Sequence, residues 1–104
     1  MPINNPAVPK VYTFSVLAGS TFGGANLITF SPNACVSIDI MNPESQAMQC
    51  QFNGDPDAIM TIPEGTESFG FGSFVLYSID FQNTASGASN IYGVQLVCSI
   101  IEGG

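Results

Sequence analysis

The chain has 104 residues, 45% of them hydrophobic and only 9% charged, with one base, Lys10, against eight acids and neither His nor Trp. That length makes one domain. A single base cannot track a phosphate backbone or an anionic bilayer surface, which excludes nucleic acid and membrane as direct partners. The missing imidazole removes Ser-His and Cys-His couples and any His-bound metal.

Residues 1–9 read as an extended arm, because Pro2, Pro6 and Pro9 fix φ near the polyproline value and exclude a helix. The arm lacks the basic and apolar regions of a signal peptide, and no stretch reaches the roughly 20 apolar residues needed to cross a bilayer. From residue 10 to residue 104 the chain reads as one domain with a hydrophobic period of two. Tyr12, Phe14 and Val16 share one face of a first strand. Gly19, Gly23 and Gly24 interrupt the chain before a second strand over residues 26–30, which turns at Ser31-Pro32-Asn33. Val36, Ile38 and Ile40 then point inward, with Ser37 and Asp39 outward. After the Asn42-Pro43 turn, Met48, Cys50 and Phe52 alternate with Gln49 and Gln51.

Asn53-Gly54-Asp55 is a hairpin signal leading to a short strand over residues 59–62, closed by Pro63-Glu64-Gly65. Residues 68–74 carry Phe69, Phe71 and Phe74 among glycines and read as an irregular strand or an aromatic loop. Residues 75–81 read as one strand with Tyr77, Ile79 and Phe81 inward. The last strand, residues 91–101, places Tyr92, Val94, Leu96, Cys98 and Ile100 on one face. Its other face holds Ile91, Val97 and Ile101, which predicts cover on both sides for part of its length. The pattern predicts an all-β fold, an antiparallel β-sandwich of about eight strands in jelly-roll or immunoglobulin-like order, with an extended N-terminal arm.

Little in the chain promises chemistry. Asn53, Asp55 and Asp57 space oxygen side chains as a calcium loop would, but Ala58 stands where the helix-loop-helix motif needs Gly, so the turn reading is preferred. The acids Asp55 with Asp57 and Glu64 with Glu67 fall in turns, while Asp39 and Asp80 sit singly on outward strand positions. Cys35, Cys50 and Cys98 read as free buried thiols of a chain made in a reducing compartment, a Cys35–Cys50 bridge being the lesser alternative. The expectation is a non-enzymatic protein without cofactor or metal. With so few charges, its surface is of the kind that a partner covers. Partner contact is expected at Pro2, Ile3, Pro6, Val8 and Pro9 of the arm and at Phe69 and Phe71.

The Pro-rich arm, Ile-Asp-Ile-Met-Asn at residues 38–42, Gln-Phe-Asn-Gly-Asp at 51–55 and Ile-Pro-Glu-Gly at 62–65 together resemble the small all-β virion proteins of tailed bacteriophages, especially capsid decoration (cement) proteins. The resemblance covers most of the chain but rests on no diagnostic motif. It implies a structural subunit that decorates or stabilises a capsid in the virion, assembled in the host cytoplasm. The implied partners are the major capsid protein or other virion subunits, with self-association as a trimer favoured and the arm clasping a neighbour. The alternatives are a carbohydrate- or receptor-binding sandwich and a phage tail or neck subunit.

Overall fold

The computed structural model describes residues 7–101 and, within them, every side chain except those of Phe69, Phe71, Ser73 and Phe74. The described residues form eight strands: β1 (Val8–Val16), β2 (Ile28–Thr29), β3 (Ala34–Asn42), β4 (Met48–Phe52), β5 (Ile59–Ile62), β6 (Thr66–Leu76), β7 (Ser78–Gln82) and β8 (Ile91–Ile101). They pair antiparallel in two four-stranded sheets, ordered β1-β8-β3-β6 and β2-β7-β4-β5. This is the β-sandwich read from the sequence, and its strand order is that of a jelly roll, not an immunoglobulin domain. Strand β1 begins at Val8, so Val8 and Pro9, expected in the arm, are sheet residues; Pro2, Ile3 and Pro6 lie outside the described span.

The core forms because strand alternation sends one apolar row from each strand into the space between the sheets. Ile38, Ile40, Val94, Leu96 and Cys98 of the first sheet meet Met48, Cys50, Ile62, Ile79 and Phe81 of the second, all buried. Burying each such aliphatic or aromatic side chain contributes about 1.5–3 kcal/mol. Phe14 and Phe81 pack ring to ring with centroids 5.0 Å apart, and Tyr12 meets Phe30 edge-on at 6.2 Å.

The strict period breaks at two bulges. On β3, pairing with β8 passes from Cys35↔Ile100 to Ser37↔Ser99, leaving Val36 as an extra residue. Cys35 is therefore the buried residue, and Val36, expected inward, is only half-buried. On β8, Val94 pairs with Phe14 but Ile91 with Val16, so three steps of β8 match two of β1. Gly93 absorbs the excess at φ +71°, where its missing Cβ avoids strain. Ile91 is thereby buried and Tyr92, expected inward, is 54% exposed. Val97 and Ile101 on the outer face are also exposed, so β8 is covered on one side only.

The strand expected over residues 75–81 is divided. Residues 66–76 form one long strand of the first sheet, and the chain crosses at Tyr77 into β7 of the second. Tyr77, expected inward, stands at this corner and is exposed. Asn53 holds the corner: its Oδ1 accepts from the Tyr77 and Ser78 amides at 2.7 and 3.3 Å, and its Nδ2 donates to the Val75 carbonyl at 3.1 Å. Asn53 does this at φ +56°, a left-handed conformation that Asn tolerates better than most residues.

Asp80 corrects a second expectation. It alternates with the buried Ile79 and Phe81 and so faces away from the core, yet it too is buried. The glycine-rich segment between β1 and β2 crosses this face: the Gly23 amide donates to Asp80 Oδ2 at 2.6 Å and the Phe22 amide to Gln82 Oε1 at 3.4 Å. The Phe81 amide donates to Asp80 Oδ1 at 2.9 Å, so backbone N–H groups satisfy the carboxylate where water is excluded.

Candidate interaction surfaces

The acids do not converge on a reactive centre. Asp39 accepts from the Ser68 hydroxyl through both carboxylate oxygens, at 2.9 and 3.0 Å. Asp80 is bound to amides, and Asp55 Oδ1 accepts from the Asp57 amide at 2.9 Å, closing a turn of its own loop. Glu64 and Glu67 are exposed on the surface. Asn53 has spent its side chain on the corner, in keeping with the turn read at Asn53-Gly54-Asp55, and the described residues contain no cluster of three His, Cys, Asp or Glu.

All three thiols are free and buried. Cys35 and Cys50 lie in different sheets, whereas Cys35 is hydrogen-bonded to Cys98 across the β3–β8 pairing. That contact lowers the Cys35 thiol and holds Cys98 protonated, while burial pushes Cys50 up to about 12.

A cleft of 270 Å³ is lined by Gln46, Gln49, Thr61, Gln82 and Asn83. Its amides largely satisfy one another: Gln82 Nε2 donates to Gln49 Oε1 at 2.6 Å, and the Ser89 amide to Gln46 Oε1 at 3.0 Å. Asn83 Nδ2 donates to the Val16 and Ser89 carbonyls, while its Oδ1 has no partner and is enclosed, out of reach of anything seated in the cleft.

The open surface belongs to the first sheet. On its outer face Val11 pairs with Val97, Val97 with Asp39 and Asp39 with Gly70, forming a row across all four strands. Val11 is 58% exposed and Val97 40%, a cross-strand apolar pair in contact with solvent.

The two edges of this sheet are β1 and β6. Antiparallel pairs alternate between those that exchange two hydrogen bonds and those that exchange none. Pro9 has no N–H, so Pro9↔Ser99 is a non-bonded pair, and the backbone N–H and C=O of Val11 and Thr13 point away from β8. The Ser15 carbonyl, in the same phase, accepts from Asn26 Nδ2 at 2.8 Å, which covers the edge only beyond Thr13. Carrying the alternation across β8 and β3 leaves the amides of Gly70 and Gly72 on the free side of β6.

The residues expected at a partner contact thus divide between opposite edges: Val8 and Pro9 lie on β1, and the backbone of Phe69 and Phe71 on β6. The side chains of Phe69 and Phe71 lie outside the described part. The corner role of Asn53 and the burial of Asp80 go beyond what the sequence reading expects. Asn-Gly with two positive-φ residues signals the first only as a turn, and nothing local signals the second. The chain matches no protein-family model, no curated protein and no solved structure.

Proposed function

We propose that this protein is a non-enzymatic structural subunit that works by repeated protein–protein contact, decorating or stabilising a bacteriophage capsid. The observation that carries the reading is the first sheet: a long, sparsely charged outer face with Val11 and Val97 exposed, flanked by two long edges. Surfaces and edges of this kind are normally blunted on proteins that remain alone. The free buried thiols agree with synthesis in a reducing compartment. Jelly rolls serve in capsids and in lectins alike, so the fold is neutral between those uses.

Light scattering on the purified chain over a concentration series tests the reading. An assembly of several copies is the expected result, trimer favoured; a monomer at every concentration counts against it. The cleft lined by Gln46, Gln49, Thr61 and Gln82 is what favours the second reading, a carbohydrate- or receptor-binding module. A glycan array with specific hits that Gln49→Ala abolishes would move the assignment there.

A further inference from the structure

We infer that Asn53 is a site of covalent ageing: Gly54 deamidates it when the corner between the sheets opens, and the change is one-way. Asn53-Gly54 is the one Asn-Gly step in the chain. Glycine has no side chain to shield its amide nitrogen, so in the unfolded chain this step is the one most open to ring closure. The Gly54 nitrogen attacks Asn53 Cγ and gives up its proton. An N–Cγ bond forms, the Cγ–Nδ2 bond breaks, and ammonia leaves with that proton. Water, the one co-reactant, then opens the cyclic imide at either carbonyl and leaves aspartate or isoaspartate.

The fold withholds the geometry that this reaction needs. Asn53 Cγ must swing onto the Gly54 nitrogen, but the carboxamide is held against the crossing by its bonds to Val75, Tyr77 and Ser78. The backbone is held as well. Asn53 and Gly54 both sit at positive φ, +56° and +65°, in a turn closed by the Asp55 amide on the Phe52 carbonyl at 3.0 Å. The Asn53 amide donates to the Ser78 carbonyl at 2.9 Å. Burial plays no part in this protection, since residues 53–57 are exposed to water and base. The reaction therefore waits on local opening of the corner, and its native rate is the unfolded rate multiplied by the open fraction.

The product cannot close the corner again. Aspartate still accepts from the Tyr77 and Ser78 amides but has no N–H for the Val75 carbonyl. It sets oxygen against oxygen where a donor stood at 3.1 Å. Its charge also joins Asp55 and Asp57 in the same loop of a chain already at −7. Isoaspartate instead lengthens the main chain by one carbon, which the tight turn from Phe52 to Asp55 does not accommodate.

The test holds the reduced wild-type chain in warm, mildly alkaline buffer, with and without guanidinium chloride, and locates each one-dalton gain by mass spectrometry. Residue 53 should convert before any other Asn in denaturant, and at least about tenfold more slowly in the native chain. Gly54→Ala, compared with wild type in denaturant where folding plays no part, should slow the conversion several-fold. Asn53→Asp should lower the urea midpoint and quicken hydrogen exchange at Tyr77 and Ser78 more than in β8. Equal rates in native and denatured chains, or another Asn converting first, overturn the inference. An Asn53→Asp chain as stable as the wild type overturns its one-way character.

Discussion

The two sheets of this sandwich share one core and treat their other faces in opposite ways. The second sheet puts Gln49, Asp80 and Gln82 outside and draws the segment around Phe22 and Gly23 over them, and its edges are too short to recruit a strand. The first puts Val11, Val97 and Ile101 outside, leaves them open, and ends in edges of nine and 11 residues. Polar groups roofed by the chain's own backbone serve stability. Apolar groups left in water are, on the proposed reading, what a partner covers. Function is to be sought on the side that the fold has left unfinished.

Substitutions that ought to affect only one side put this division to the test. The largest effect is expected at the corner joining the sheets. Asn53→Ala loses three side-chain hydrogen bonds and forces a β-carbon residue without local polar help into positive φ, and should cost about 3 kcal/mol in urea unfolding. Asn53→Gly, which relieves the φ strain, should cost less. Next comes Asp80→Ala, which strands the Gly23 and Phe81 amides and should cost about 2 kcal/mol. Hydrogen exchange should then quicken at Gly23 while β8 stays protected; equal quickening in both would mean the roof is not a separate device.

A third effect reads the core itself. Cys50 is an acid whose folded pKa, about 12, lies above its ordinary value of 9.0. Its contribution is therefore fully present below pH about 9 and is lost as pH rises toward 12, since the unfolded chain releases its proton first. Stability should fall between those values by up to about 1.4 kcal/mol per pH unit from this group. Cys50→Val should flatten that part of the profile. The smallest effect on stability, within about 0.5 kcal/mol, is expected for Val97→Thr on the open face. A larger loss in unfolding experiments would mean that this face belongs to the core after all.

Alternation alone makes most of the architecture legible in the sequence. The strand over residues 91–101 has the bounds read for it, and β4 and β5 follow the Asn-Gly hairpin signal as expected. The misses share a cause: a period of two holds only while no residue is inserted. Val36 and Gly93 are such insertions, and each flips its neighbours, exposing Tyr92 and burying Cys35. Tyr77 fails differently, because one residue suffices to pass between sheets when a distant Asn supplies the hydrogen bonds. Asp80 is outward by alternation, as read, but no local pattern reveals that a loop 57 residues earlier will cover it. Val8, Pro9, Phe69 and Phe71, read as partner contacts, fall on edge strands, but that these are the two ends of one sheet follows only from strand order.

That order also governs how the chain comes into being. Strand β8 lies between β1 and β3, yet it follows every other described strand in sequence. On the ribosome, β1 and β3 must wait with a strand-wide gap between them until residues 91–101 emerge. During that wait their inner rows, Phe14, Val16, Ile38 and Ile40 among them, lack their central neighbour. A sheet completed by a strand so late in the sequence gains about half of its strand pairing in one late step, so slow folding for its size is expected, with exposure to capture by another chain meanwhile.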